Sequence, residues 1–259
     1  MKTSSSPFCG FAFLLTLVPL AACNAARQRT PLNPALVIPP SAVSAPPVSI
    51  GLIVDSSGSM LTGKSFGFGE SKLEILQQAL ATFCDTLRPT DEAFLLTANG
   101  ERSGKFFDFT LSPKLRQSFT NSPMVLKQAL YDLKPLGATM LYDAILEGLR
   151  LVNQGQNRRK ALLIISDGLD TASTASEGQV IAAVEVAKIP IYTIGLGASS
   201  TAGGLWDNLT TRDPVNTEVL QTLSQRTQGL YLLLNTSTTT DKTAALVQDL
   251  ESVSKELRK

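Results

Sequence analysis

An open, doubly wound α/β sheet, mostly parallel, with helices on both faces and one antiparallel edge strand, is the fold class this sequence predicts. Three observations predict it. Residues 48–54 and 161–165 are continuous apolar runs, as expected of parallel strands buried on both faces. From Val48 onward such runs alternate with segments of helical period, which builds a layered parallel sheet. Ser71-Lys72-Leu73-Glu74 is a capping box, a signal that opens a helix after the first strand and its loop.

Each element follows in order. The first strand is residues 48–54, and the helix opened at Ser71 carries one apolar stripe of Leu73, Leu76, Leu80, Phe83 and Leu87. Residues 92–97 and 105–110 read as the next strands, the second alternating as a sheet edge does. Residues 123–133 and 141–152 read as helices, 161–165 as a buried strand, and 177–187 as a helix. Residues 189–195 and 230–234 are the last strands; 217–226 and 242–257 are helices, the latter aligning Leu246, Leu250, Val253 and Leu257. Two longer loops, residues 61–69 and 198–214, each follow a strand, which puts both on the carboxyl edge of the sheet, where such folds bind ligands. They contain Phe66, Phe68 and Trp206, the only tryptophan, residue types that suit partner contact as well as core closure.

Composition narrows the function classes. The 259 residues are 43% hydrophobic and 17% charged, ordinary for a globular chain with one domain of this size. The formal charge of +1 supplies no field to hold nucleic acid. With no histidine, imidazole acid–base catalysis, histidine triads and histidine-ligated zinc are all excluded.

The domain plan has three parts. Residues 1–22 are expected to be a signal peptide, with Lys2 at its start and an apolar core at residues 11–20, too short for a bilayer span of about 20 residues. Leu20-Ala21-Ala22-Cys23 resembles the lipobox of bacterial lipoproteins, which implies lipidation at Cys23; an ordinary signal cut after Ala25 is the alternative. Asn24 in place of aspartate favours the outer membrane by the same resemblance. Residues 23–47 form a tether holding six of the fourteen prolines, with a reach of about 70 Å when extended. Residues 48–257 are the folded domain. Cys84, within a helical pattern, is then the one free thiol and reads as a small core residue.

Oxygen donors gather at the predicted strand ends. Asp55-Ser56-Ser57-Gly58-Ser59 follows the first strand, Gly137-Ala138-Thr139 precedes the helix at Leu141, and Ser166-Asp167-Gly168 follows residues 161–165. Singly these are turn residues, a helix N-cap at Thr139 and a common turn pair. Together, in this order, they resemble the metal-ion-dependent adhesion site of von Willebrand factor type A domains, Asp-x-Ser-x-Ser with a distant Thr and a distant Asp. The resemblance spans residues 48 to about 257. Leu141-Tyr142-Asp143-Ala144 and Asp170 shortly after Ser-Asp-Gly give it the look of bacterial stand-alone members.

The resemblance implies one magnesium or manganese ion. Ser57, Ser59 and Thr139 would bind through hydroxyls, and Asp55 and Asp167 directly or through waters. Neutral hydroxyls leave such an ion under-neutralised, so that it accepts a carboxylate from a partner. The expected function is therefore non-enzymatic. A lipid-anchored envelope protein would bind an unidentified partner with an exposed Asp or Glu, in a scaffold or adhesion role, without nucleic acid.

One rival motif overlaps the site. Residues 58–65, from Gly58 to Lys64-Ser65, satisfy the G-x-x-x-x-G-K-[ST] pattern of a P-loop nucleotidase. A P-loop must run from its Lys-Ser straight into a helix whose amides hold phosphate. Here residues 66–69 intervene and the capping box starts the helix later; Asp55 would also oppose phosphate charge.

Overall fold

The computed structural model describes residues 45–61, 70–102, 111–199, 214–236 and 238–259. The signal peptide, Cys23 and most of the tether lie outside these residues, as do most of both long loops, including Phe66, Phe68 and Trp206. Residues 44–259 form one compact unit.

Among the described residues, seven strands make the sheet: β1 (Val48–Val54), β2 (Glu92–Arg102), β3 (Leu111–Thr120), β4 (Arg159–Ser166), β5 (Ile191–Ser199), β6 (Pro214–Val215) and β7 (Tyr231–Asn235). The order is β3-β2-β1-β4-β5-β6, with β7 also paired to β5. All pairs are parallel except β2 with β3. β1 is central because nothing in VSIGLIV needs water, and all seven of its residues are buried.

Among the described residues, six α-helices cover the faces: α1 (Lys72–Asp85), α2 (Pro123–Tyr131), α3 (Leu141–Val152), α4 (Glu177–Ala187), α5 (Thr217–Arg226) and α6 (Lys242–Glu256). The period-2 alternation of β1 sends Val48, Ile50, Leu52 and Val54 to one face, where Leu76 and Leu80 of α1, Leu126 of α2 and Leu250 of α6 pack on them. Ile53 faces the other way, with Ile145 of α3, Val184 of α4 and Leu220 of α5 in the second core. Each such aliphatic side chain contributes about 1.5–3 kcal/mol through burial. Cys84 is buried in the first core, and burial pushes its thiol up to about 12, which makes it an inert packing residue.

The sheet has the expected antiparallel edge strand. Residues 105–110 fall outside the described residues, and the strand that pairs with β2 is Leu111–Thr120. Its sequence, LSPKLRQSFT, is at best half-buried and contains Pro113, Lys114 and Arg116. Proline and charge are tolerated because the outer side of an edge strand has no neighbour to pair with, and they protect that side from pairing with other chains.

At the amino edge of the sheet, Asp91 ties three segments together. Its carboxylate accepts from the Val48 amide (3.1 Å), from Arg88 Nη2 (2.9 Å) and from Arg258 Nη1 (2.7 Å). Burial works to raise its pKa, but the hydrogen bonds from Arg88, Arg258 and the backbone outweigh that and hold the carboxyl well below the usual range. Arg88 also donates to the carbonyls of Ala45 and Pro46, and Arg159 to those of Pro46 and Leu257. The chain therefore enters the domain, and ends, on the edge opposite the carboxyl ends of the strands. Among the described residues no helix is long and apolar enough to cross a membrane.

Candidate functional site

The chain leaves β1 toward β2 on one side and returns for β4 on the other, so the carboxyl ends of β1 and β4 flank the switch point of the sheet. The first residue after β1 is Asp55, whose amide donates to Ile165 O at 2.9 Å, and the first after β4 is Asp167. Both are buried.

The side chains converge through short hydrogen bonds. Asp55 Oδ1 accepts from the Ser57 amide (2.8 Å), and Asp55 Oδ2 from Ser166 Oγ (2.9 Å). Ser57 Oγ lies 2.9 Å from Ser59 Oγ, and the Ser59 hydroxyl donates in turn to the Asp167 carboxylate. The Leu169 amide donates to Asp167 Oδ1 at 3.1 Å. Lys72 Nζ, at the first turn of α1, is 3.9 Å from Asp167 Oδ2, and both side chains are only 2% exposed.

Burial, and next the charge of Asp55, raise the Asp167 carboxyl; Lys72, the Leu169 amide and Ser59 pull it back. Two buried carboxylates in one site make a set of groups that a cation would relieve.

Thr139 reaches this site through its backbone. Gly58 N donates to Gly137 O (3.1 Å) and Leu136 N to Ser56 O (2.9 Å), which joins its loop to the Asp55 segment. Gly100 N donates to Ala138 O and Met140 N to Ala98 O, extending β2 alongside. Thr171 and Ala172 amides both donate to Thr139 O at 3.0 Å, and Thr171 Oγ1 accepts from Thr139 N at 3.0 Å. The loop after β4 thus grips Thr139 from the far side, and its side chain is nearly buried.

Two glycines make this closeness possible. Gly137 (φ +80°) and Gly168 (φ +75°) adopt left-handed backbone, and a Cβ would sit 2.6 Å from Gly100 O or 2.5 Å from Asn216 O.

Thr139 is not the N-cap of α3. That position is Met140, which makes no side-chain cap, and the free amides of Tyr142 and Asp143 are taken by Asp170 Oδ2 (3.0 Å) and Ser173 Oγ (3.1 Å). Asp143 answers by accepting from the amides of Thr174 and Ala175, each at 2.9 Å. This reciprocal latch holds the Thr139 and Asp167 segments in one frame. Lys72 and the latch residue Ser173 are site features that the sequence pattern does not single out, and the support of Asp55 by Ser166 is likewise invisible in it. Only the Ser-x-x-Glu box next to Lys72 hinted at its location.

The donors are two carboxylates and hydroxyls. Among the described residues no cluster of three or more His, Cys, Asp or Glu offers an alternative metal centre. Hard oxygens of this kind fit magnesium or manganese and not zinc. The P-loop pattern fits less well: Gly58–Leu61 is a short 3-10 turn, and α1 starts at Lys72 behind its Ser71 cap, seven residues past Ser65.

Residues 50–169, which contain all five candidate donors, match the family described as von Willebrand factor type A domain. No curated protein matches the sequence. Among solved structures, the chain is similar to the conserved hypothetical protein BatB from Bacteroides thetaiotaomicron (17% identity, 80% of this chain and 99% of that one, TM-score 0.54). It is also similar to a von Willebrand factor type A protein from Catenulispora acidiphila (16%, 81% and 42%, 0.59). A third is the vWF domain of the type V pili tip protein Mfa5 from Porphyromonas gingivalis (11%, 82% and 95%, 0.57). Identities this low establish the fold and nothing finer.

Proposed function

With a von Willebrand factor type A fold as the premise, we propose that this protein is a lipid-anchored envelope protein that binds a partner protein through a divalent cation at the Asp55–Asp167 site. The observation that carries this is the convergence of Asp55, Ser57, Ser59 and Asp167 at the switch point, with Thr139 held beside them. When bound, magnesium or manganese supplies an open coordination position for a carboxylate of the partner. Ser57, Ser59 and Thr139 would hold it through hydroxyls, while Asp55 and Asp167 would balance its charge directly or through waters.

The protein side of this chemistry is positioning. Asp55 is fixed by Ser166 and by the Ser57 amide, so its oxygens are oriented before any ion arrives. The latch around Asp143, Asp170 and Ser173 sets the Thr139 segment. The role that fits oxygens oriented in this way is binding: scaffold or adhesion. A domain of this fold in a pili tip protein supports an envelope role. Residues 1–22 as a lipoprotein signal, lipidation at Cys23 and a tether over residues 23–47 complete the proposal, with the outer membrane favoured.

Affinity capture from envelope extract tests it. The protein on beads should retain a partner in magnesium and release it in EDTA, and Asp55→Ala should retain none in either buffer. Retention that is equal in magnesium, in EDTA and with Asp55→Ala would overturn the metal-dependent reading.

A further inference from the structure

We infer that the basic cleft at the amino edge of the sheet, opposite the Asp55 site, docks on a membrane surface carrying anionic phospholipid headgroups. The cleft has a volume of about 440 Å³ and is framed by Arg158, Arg159, Lys160 and Lys188, with Ile189 and Tyr192 among its apolar lining. No carboxylate is among its described lining residues. Arg158 and Lys188 are exposed, and Lys188 projects from the left-handed residue that ends α4.

Arg159 and Lys160 are half-buried and fixed by donation to Pro46 O and Leu257 O, and to Gly155 O. The carboxylates of the same edge are already engaged. Asp91 is paired with Arg88 and Arg258, and Glu256, whose charge reaches Tyr192, with Lys259; Glu92 keeps its charge, hydrogen-bonded to Ser49 and the Gln156 amide away from the cleft lining. What remains is a concave site framed by four cationic side chains, the complement of a phosphodiester headgroup.

A second observation selects a membrane as the source of that phosphate. Arg88 and Arg159 hold the carbonyls of Ala45 and Pro46 on this same edge, so the tether joins the domain beside the cleft. This step rests on the proposed anchor at Cys23. A flexible anchor raises the effective concentration of headgroups around the domain and so adds to the affinity that the cleft has by itself. β1 separates the two edges by about 23 Å. Docking through the cleft therefore leaves the Asp55 site facing away from the lipid and toward a partner.

The test uses residues 44–259 alone, because this unit contains both cores. Flotation with vesicles of phosphatidylglycerol in phosphatidylcholine should recover the protein at low salt. Vesicles of phosphatidylcholine alone, or high salt, should not. The double variant Arg158→Glu, Lys188→Glu alters two exposed side chains, so it should keep its melting temperature and lose about thirtyfold or more in vesicle affinity. Equal flotation of variant and wild type, or of charged and neutral vesicles, overturns the proposal.

A thermal shift with millimolar inorganic phosphate in the absence of any vesicle recruitment also overturns it, in favour of a soluble anion. Since this unit lacks Cys23, failure here leaves acylation standing, and failure of acylation leaves the vesicle result standing.

Discussion

Lys72 Nζ lies 3.9 Å from Asp167 Oδ2, with both side chains all but sealed from solvent. A lysine at the start of a helix ordinarily reaches into water. This one places a positive charge beside a carboxylate that a cation would also claim. Lys72→Met should therefore tighten divalent binding by about tenfold, through loss of the repulsion between ammonium and ion. It should also cost the metal-free protein about 3 kcal/mol, because Asp167 then keeps its burial without its partner. Calorimetric titration and urea unfolding read the two effects, and an unchanged metal affinity would show that Lys72 has no influence on the ion.

Asp170 touches neither Asp55 nor Asp167 in the hydrogen bonds described above, yet it caps α3 through Tyr142 N and holds Ser173, which caps Asp143 N. Asp170→Ala should cost about 1–2 kcal/mol as a lost cap. It should also weaken metal binding severalfold by loosening the frame around Thr139. A loss of stability with unaltered metal affinity would reduce the latch to a capping device.

Acid should unfold the domain partly through Asp91. Its folded pKa lies below the ordinary 3.8, so it contributes stability that is fully present above that value and lost as pH falls through the folded one. Asp91→Asn should cost about 3 kcal/mol at neutral pH, since Arg88 and Arg258 lose their shared acceptor. It should also flatten the decline of stability between about pH 4 and pH 2. Urea melts across that range decide it; parallel curves for variant and wild type would remove Asp91 from the acid transition.

Membrane attachment is expected to depend on Cys23. Cys23→Ser should appear in the soluble fraction after a high-salt wash, which also removes any headgroup contact, while the wild type stays with membranes and takes up a lipid label. Membrane retention of the variant, with no label on the wild type, would contradict lipidation.

Much of the fold was legible because its signals are local. β1, α3, α4 and α5 occupy the residues that apolar runs and helical period mark out, and the Ser71–Glu74 box caps α1 as read. β3 escaped because an edge strand carries little of the pattern that burial imposes, and Pro113 argues against a strand by itself.

Asp55, Ser57, Ser59 and Asp167, which the structure brings together, are residues that order and spacing alone pick out. Their supports are not picked out, since Ser166 to Asp55 and Asp170 to Tyr142 are pairings between positions 111 and 28 residues apart. Lys72 was the least legible. Its residue type predicts exposure, and only the packing of α1 against the end of β4 makes it a buried cation.

This domain is expected to hold one divalent cation at Asp55 and Asp167 without needing it to fold. Two apolar cores on the two faces of the sheet supply the stability, and the site lies at the sheet's edge. Removing the ion should therefore cost only the linkage free energy, about 3–4 kcal/mol at a metal concentration hundreds of times the dissociation constant.

Calorimetric titration of magnesium and manganese into the EDTA-stripped protein, with circular dichroism on the same samples, tests this most directly. A single saturable site in the wild type is predicted, absent in Asp55→Ala, with the same folded spectrum in both. No saturable binding in the wild type, or undiminished binding in a folded Asp55→Ala, would contradict it.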